Sequence, residues 1–177
     1  MIKLGIIGFS KGNGHPYSFS AIFNGYNDHY FKKVKYKKIY NYLKIQKKKN
    51  FIGNIAKVTY AWSSNYKETI LLSKACKIKY PIKNYKSMIG KVNGVIIAKD
   101  NWTDNKKIAE FFLKKKVPIF LDKPLTLSRT DLRFYKKFYD KKLLISCSGL
   151  RFSKELLEAK KKIKKNRKNK ICYWQYH

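Results

Sequence analysis

The chain of 177 residues has few cysteines, few acidic residues and no long apolar run. Its three cysteines, Cys76, Cys147 and Cys172, are far apart and form no C-x-x-C pair. This disfavours a disulfide framework and a zinc ribbon, so we predict no metal site and expect a reducing, cytoplasmic compartment. No apolar run approaches the roughly 18–20 residues of a membrane span, and the N-terminus lacks the pattern of a signal peptide. We therefore expect a globular protein with no membrane partner.

The scarcity of acidic residues leaves a large positive charge. Ten Asp and Glu stand against 42 Lys and Arg, which gives a formal net charge of +32. A charge of this size attracts polyanions, so a basic polyanion-binding protein is one alternative. However, only four of the basic residues are arginine, the residue on which nucleic-acid binders rely for bidentate contacts. The chain is also rich in Ile, Asn, Tyr and Phe, the bias of an AT-rich genome. We therefore favour compositional drift and expect no specific nucleic-acid partner.

Apolar runs alternate with helix-like segments over most of the chain. Continuous apolar runs, such as those at 95–98 and 143–147, are typical of parallel strands buried on both faces. Thr103 or Asp104 is expected to cap one helix, and Ser128 the next. The pattern predicts an α/β fold with a doubly wound, Rossmann-like parallel sheet and right-handed crossovers. The predicted strands are 2–8, 58–62, 95–98, 117–121 and 143–147, and the predicted helices are 17–25, 36–45, 66–77, 103–116 and 128–139.

Three loops follow predicted strands, and a parallel sheet brings such loops to one edge. They are the glycine-bearing turn 9–16, the loop 98–101 and the tripeptide Asp122-Lys123-Pro124. Sheets of this type bind ligands beyond the carboxyl ends of their strands. The turn offers backbone N–H groups at a helix N-terminus, where a diphosphate can approach without meeting side chains. The alternative is a tight turn between strand and helix that binds no ligand.

The composition changes after Phe152. Residues 153–170 form a strongly basic, helix-like stretch, and 171–176 have the pattern of a strand. We predict a Rossmann-like domain over residues 1–152 and the start of a second, truncated domain over residues 153–177.

Several segments together resemble one family in order and spacing. They are Lys3–Gly8, Gly94–Ala98, Val117–Pro124 and Ser148–Phe152. The family is Gfo/Idh/MocA, the glucose–fructose oxidoreductase and inositol dehydrogenase family, and the match covers only its N-terminal half. The tripeptide Asp122-Lys123-Pro124 is similar to the Glu-Lys-Pro of that family.

The resemblance implies a Rossmann domain that binds NAD or NADP, followed by an α/β domain that supplies most substrate contacts. Hydride would pass between the nicotinamide and a carbon of a small sugar- or polyol-like substrate, such as a cyclitol. Lys123 would be the catalytic lysine beside the nicotinamide. A homo-oligomer remains possible. The residues expected to bind the cofactor are Gly8, Phe9, Ser10, Gly12, Asn13, Gly14, His15, Ser63, Ser64, Ala98, Lys99, Asp100, Asp122 and Lys123.

Three features depart from the family. The glycines read G-x-x-x-G-x-G instead of G-x-G-x-x-G. The second strand is followed by Ser63 and Ser64 with no acidic residue to hold a ribose hydroxyl, which leaves NADP open, with Lys67 as a further phosphate contact. The acid and base residues of the family's second domain have no counterpart in the chain. A nucleotide-binding module without turnover is therefore a second alternative.

Overall fold

A six-stranded parallel sheet forms the centre of the fold. The computed structural model describes residues 1–165. The strands are β1 (Ile2–Ile7), β2 (Ala56–Trp62), β3 (Tyr80–Pro81), β4 (Gly94–Ile97), β5 (Ile119–Leu121) and β6 (Leu144–Ile145). Their order is β3-β2-β1-β4-β5-β6, and every neighbouring pair is parallel. This is the strand order of a doubly wound Rossmann-like sheet, and it confirms the predicted fold class.

Helices cover both faces of the sheet. Those of the first compact unit are α1 (His15–Asn24), α2 (Asp28–Phe31), α3 (Lys37–Lys44), α4 (Tyr66–Ala75), α5 (Trp102–Lys114) and α6 (Arg129–Tyr139). A further helix, α7 (Lys154–Lys165), follows later in the chain. Successive strand residues point to opposite faces, so Ile6 packs with α1 and α4 in one core cluster. Its neighbour Ile7 packs with α5 and α6 in the other. Both isoleucines are fully buried, as the apolar run in β1 predicts.

The connection from α1 to β2 is long and contains two helices where the sequence predicts one. Most helix-to-strand connections in such folds have about 2–6 residues, whereas here α2, α3 and a 3-10 turn at Lys48–Asn50 lie between Asn24 and Ala56. Phe31 and Leu43 of this insertion are buried in the same core cluster as Ile6. The insertion is therefore part of the folded core and lies against α1 and α4.

Two local predictions are wrong. The cap of α5 is Asn101, whose side chain accepts a hydrogen bond from the Thr103 N–H, so neither Thr103 nor Asp104 is the cap. The amide of Asn101 also donates to Asp104 at 3.2 Å. The last predicted strand is shorter than expected and is not buried on both faces, because β6 is an edge strand and Ile145 is 58% exposed. Ser128 caps α6 as predicted.

The chain divides into two compact units, residues 1–146 and residues 147–177. In the second unit, a 3-10 turn at Gly149–Phe152 precedes α7. This helix carries exposed leucines and an ion pair between Lys154 and Glu158 at 4.0 Å. The strand predicted at 171–176, Cys172 and the end of the predicted basic helix lie outside the described residues. Among the described helices, none has the length and apolar character needed to cross a membrane.

Candidate functional site

The loops that follow β1, β4 and β5 meet at one edge of the sheet. The Ala98 N–H donates to the Ile7 carbonyl at 2.6 Å, and the Asp122 N–H donates to the Ile97 carbonyl at 2.9 Å. The Asn101 N–H lies 3.4 Å from the Ser10 hydroxyl oxygen, which accepts from it. The parallel ladder thus continues one residue past each strand and brings the three loops together.

The glycine turn (residues 9–16) and the preceding Gly8 differ in how closely they are packed: Gly8 makes close contacts, whereas open space surrounds Gly12. A Cβ built on Gly8 would lie 2.3 Å from Cγ of Pro16 and 3.2 Å from the Ala98 carbonyl oxygen. A side chain at residue 8 would therefore separate the strand from α1. Gly12 has a φ of +86° and no atom within 4 Å of its Cβ position, so its backbone is open to solvent.

Asn13 supports the start of α1 from within the turn. Its side-chain oxygen accepts from the His15 N–H at 2.8 Å, and its own N–H donates to the Ser10 carbonyl at 3.1 Å. The side-chain Nδ2 of Asn13 is buried and has no hydrogen-bond partner among the described residues. An unpartnered buried donor is costly. A diphosphate at the N-terminus of α1 fits this turn, because it approaches open backbone beside that donor.

A contact between a partly exposed histidine and a buried carboxylate connects the glycine turn to the tripeptide after β5. The carboxylate of Asp122 is 2% exposed, and its Oδ2 contacts Nδ1 of His15. Its other oxygen accepts from the Lys123 N–H at 2.9 Å. Buried carboxylates require such partners, and here the partners join the first residue of α1 to the end of β5. The structure thereby places Gly12 and Lys123 near the same edge of the sheet.

Lys123 is exposed, and the peptide bond to Pro124 is cis. The lysine follows a carboxylate that is fixed by two partners, so its backbone is held while its side chain is free to reach outward. In chemical terms, the residue that carries the ammonium group directly follows the carboxylate that contacts the glycine turn. The sequence predicts each of His15, Asp122 and Lys123 at the site but not the contact between His15 and Asp122. The only signal for it is that a carboxylate at the end of a buried strand needs a donor.

The loop after β4 is held by α5. The Lys99 carbonyl accepts from the buried side chain of Asn105 at 2.9 Å, and the Lys99 ammonium lies 3.4 Å from Asp104. Ala98 is buried and Asp100 is half-buried. The backbone of this loop therefore lies along the same edge, while the Lys99 side chain is engaged with α5.

Two of the predicted residues serve the fold. Phe9 packs against Tyr17 with ring centroids 5.4 Å apart, in the core cluster of Ile6. The Ser63 hydroxyl donates to the Asn65 carbonyl at 2.7 Å and lies 2.8 Å from the hydroxyl of Thr69. Its hydrogen bonds therefore stabilise the start of α4. Ser64 is exposed beside it. Contacts of Phe9, Ser63 and Ser64 with a cofactor stay predictions.

Solved structures share this fold at low sequence identity. A myo-inositol 2-dehydrogenase from Lactobacillus plantarum aligns with 97% of the chain at a TM-score of 0.65 and 16% identity. A probable dehydrogenase from Thermotoga maritima aligns with 93% at 0.63 and 14%. A scyllo-inositol dehydrogenase from Lactobacillus casei, with bound cofactor NAD(H) and scyllo-inositol, aligns with 94% at 0.61 and 16%.

The alignments cover 41%, 43% and 42% of the Thermotoga, L. plantarum and L. casei chains, so this chain spans less than half of their length. No protein-family model matches the chain, and no curated protein matches it in sequence. At these identities the likeness shows a shared Rossmann-like fold.

Proposed function

We propose that the chain binds NAD or NADP at the edge formed by the glycine turn, the loop after β4 and Asp122–Lys123. The observation that carries this proposal is the contact of His15 with the buried carboxylate of Asp122, which connects the turn to the backbone of Lys123. The open backbone at Gly12 and the unpartnered Nδ2 of Asn13 provide room and a donor for a diphosphate. The scyllo-inositol dehydrogenase with bound NAD(H) supports the choice of a nicotinamide cofactor.

We further propose an oxidoreductase role, with a sugar- or cyclitol-like substrate. The bound cofactor would supply a hydride acceptor or donor. When a carbonyl is reduced, the Lys123 ammonium would donate a hydrogen bond and then a proton to the substrate oxygen; when a hydroxyl is oxidised, the neutral Lys123 amine would accept the proton that the oxygen loses. Asp122 and His15 would hold the backbone of Lys123 in place. The proposal rests on the dehydrogenases that share the fold.

A nucleotide-binding module without turnover is the second candidate. The observation that favours it is that the chain spans only 41–43% of the length of these dehydrogenases. Both candidates predict cofactor binding, and they differ in whether the 177-residue chain turns over a polyol or sugar.

Titration with NADH and NADPH, followed by fluorescence, tests cofactor binding, which both candidates predict. Gly12→Val places a branched side chain in a left-handed turn, and we expect it to weaken cofactor binding at least tenfold. Gly25→Val is the matched control, because Gly25 also has a positive φ of +71° and no atom within 4 Å of its Cβ position, but it lies at the other end of α1. Equal affinities of both variants and wild type would reject the site. Absence of binding by either cofactor at millimolar concentration would reject both candidates.

Turnover separates the two candidates. If the chain oxidises a polyol, Lys123→Ala should reduce kcat at least a hundredfold, while the Kd of the cofactor changes little. Lys141→Ala, at an exposed lysine in the turn after α6, is the control and should leave both quantities unchanged. Cofactor binding without turnover on any polyol or sugar would select the binding module. Full activity of Lys123→Ala would reject the assigned role of the lysine.

A further inference from the structure

A cavity lies on the outer side of the glycine turn, between the turn and the insertion that joins α1 to β2. Its volume is about 540 Å³, and its lining includes Gly12, His15 and Ser18 on one side and Lys35, Lys37 and Lys38 on the other. Cavities of about 300–1,000 Å³ are typical of small-molecule sites. None of the residues that line it is acidic.

The insertion is fitted to the turn at this place. A Cβ built on Gly14 would lie 2.5 Å from Cδ1 of Ile39 and 2.9 Å from Cγ of Tyr36. Tyr36 and Ile39 therefore pack directly on the glycine backbone. The three lysines belong to the same segment, so their backbone is fixed next to the turn.

The charges of these lysines are not compensated. Within residues 1–165, no carboxylate lies within ion-pair distance of Lys35, Lys37 or Lys38. The Lys37 ammonium donates to the Lys32 carbonyl at 2.5 Å, and the Lys35 ammonium lies 5.4 Å from the ring centroid of Tyr36. Three cations around a concave surface without a counter-charge attract a compact anion of more than one negative charge.

We infer that this cavity binds a phosphate group carried by an organic molecule. The ammonium groups would supply the charge, and the Ser18 hydroxyl, which donates to the His15 carbonyl at 3.2 Å, lies on the cavity wall. Because lysine recognises phosphate as a point charge and not by a bidentate fork, affinity would fall steeply with salt. His15 lines the cavity and also contacts Asp122, so the phosphate subsite adjoins the proposed cofactor edge.

Two molecules could carry this phosphate. One is NADP, through the phosphate that distinguishes it from NAD, and the other is a phosphorylated substrate. In the first case the inference deepens the proposed function and rests on it. In the second case the subsite is independent of the cofactor.

The test compares two triple variants that remove the same charge from the same insertion. Lys35→Ser, Lys37→Ser and Lys38→Ser change the cavity, whereas Lys47→Ser, Lys48→Ser and Lys49→Ser change exposed lysines that do not line it. The probes are inorganic phosphate, NADH and NADPH, each titrated by calorimetry at about 150 mM salt, where long-range attraction is screened. We expect the cavity triple to weaken phosphate binding at least tenfold and the control triple to change it less than twofold.

The nucleotide probes identify the source of the phosphate. A tenfold loss for NADPH with no change for NADH assigns the subsite to the cofactor. If the cavity triple loses phosphate binding but binds both NADPH and NADH with wild-type affinity, the subsite belongs to a separate phosphorylated ligand. Equal effects of both triples on phosphate binding would overturn the inference, since net charge alone would then explain the attraction.

A single variant keeps the test interpretable if the cavity triple fails to fold. The side chain of Lys38 is exposed and makes no hydrogen bond or ion pair within the described part of the chain, so Lys38→Glu should leave the melting temperature close to that of wild type. It should still weaken phosphate binding, and unchanged binding would overturn the inference. If wild type binds phosphate but neither nucleotide, the proposed function fails while the subsite stands.

Discussion

The carboxylate of Asp122 is buried beside a histidine that precedes it by 107 residues. A pairing over that distance in sequence arises from the meeting of β1 and β5 ends across β4, and no local spacing reveals it. The sequence therefore predicts His15 and Asp122 as members of one site, but the packing of the sheet decides which atoms touch. The same holds for Ser63, whose hydroxyl is engaged by the first turn of α4.

Substitutions of His15 and Asp122 should have non-additive effects on the free energy of unfolding. In a double-mutant cycle with His15→Ala and Asp122→Asn, we expect a coupling free energy of about 0.5–3 kcal/mol, because the Asp122 carboxylate is buried even though His15 is partly exposed. Urea unfolding of the four proteins measures it. Asp140→Asn serves as control, since Asp140 pairs with Lys136 on an exposed helix face and such pairs contribute about 0.3–0.5 kcal/mol. Additive effects of the two site substitutions would contradict the contact.

Gly8 should tolerate no side chain. Gly8→Ala places a Cβ against the Pro16 ring and the Ala98 carbonyl, and we expect a loss of about 1–3 kcal/mol in the free energy of unfolding, as in overpacked cores. Gly149→Ala is the matched substitution, because nothing lies within 4 Å of its Cβ position and its φ is not positive. Equal unfolding midpoints in urea for the two variants would show that the turn is looser than described.

The strands with continuous apolar runs are predictable, because burial on both faces leaves a plain pattern in β1, β4 and β5. In the insertion, α3 (Lys37–Lys44) falls on the helix predicted at 36–45, whereas α2 is not predicted because its four residues are too few to show a helical period. The sequence pattern predicts the cap of α5 at Thr103 or Asp104, whereas the cap is Asn101. Asparagine, threonine and aspartate are all good caps and occur close together here, so only the backbone shows which of them precedes the helix.

The insertion should weaken in acid. Hydrogen bonds from Lys32 and then from Tyr40 hold the pKa of Asp28 below its usual range, and the Tyr40 hydroxyl lies 2.5 Å from the carboxylate. A carboxyl whose pKa is lowered in the folded state stabilises the fold above its unfolded pKa, and this stabilisation is lost as the pH falls through the folded pKa.

Asp28→Asn tests this dependence. We expect the variant to be less stable than wild type at neutral pH, and the two urea midpoints to converge as the pH falls through the lowered pKa of Asp28, below which both side chains are uncharged. Asp140→Asn again provides the comparison, because the side chain of Asp140 is about as exposed as that of Asp28, 54% against 52%. A difference that stays constant from neutral to acid pH would mean that Asp28 is not held by these partners.

The net charge of +32 affects the whole molecule. Like charges repel in the compact state more than in the expanded chain, so charge far from zero reduces stability. Raising NaCl from about 20 to about 200 mM should therefore raise the melting temperature, because the Debye length falls well below the size of the fold. A melting temperature that falls with salt would show that attractive ion pairs outweigh the repulsion.

The overall architecture was predictable because a repeated strand–helix alternation admits few topologies, and the observed sheet is the one expected. The position of Lys123 near the glycine turn follows from that topology. The cavity beside Lys35–Lys38 does not, because it depends on how the insertion folds back onto Gly14.

Amide chemical shifts recorded during a titration with NADH or NADPH would test most directly whether the loops after β1, β4 and β5 bind one dinucleotide together. We expect Gly12, Gly14, the loop 98–100 and Lys123 to shift together with one apparent Kd, while Gly25 and Gly53 remain unchanged. Shifts at the glycine turn without Lys123, or shifts spread evenly over the lysine-rich surface, would contradict a dinucleotide site at this edge of the sheet.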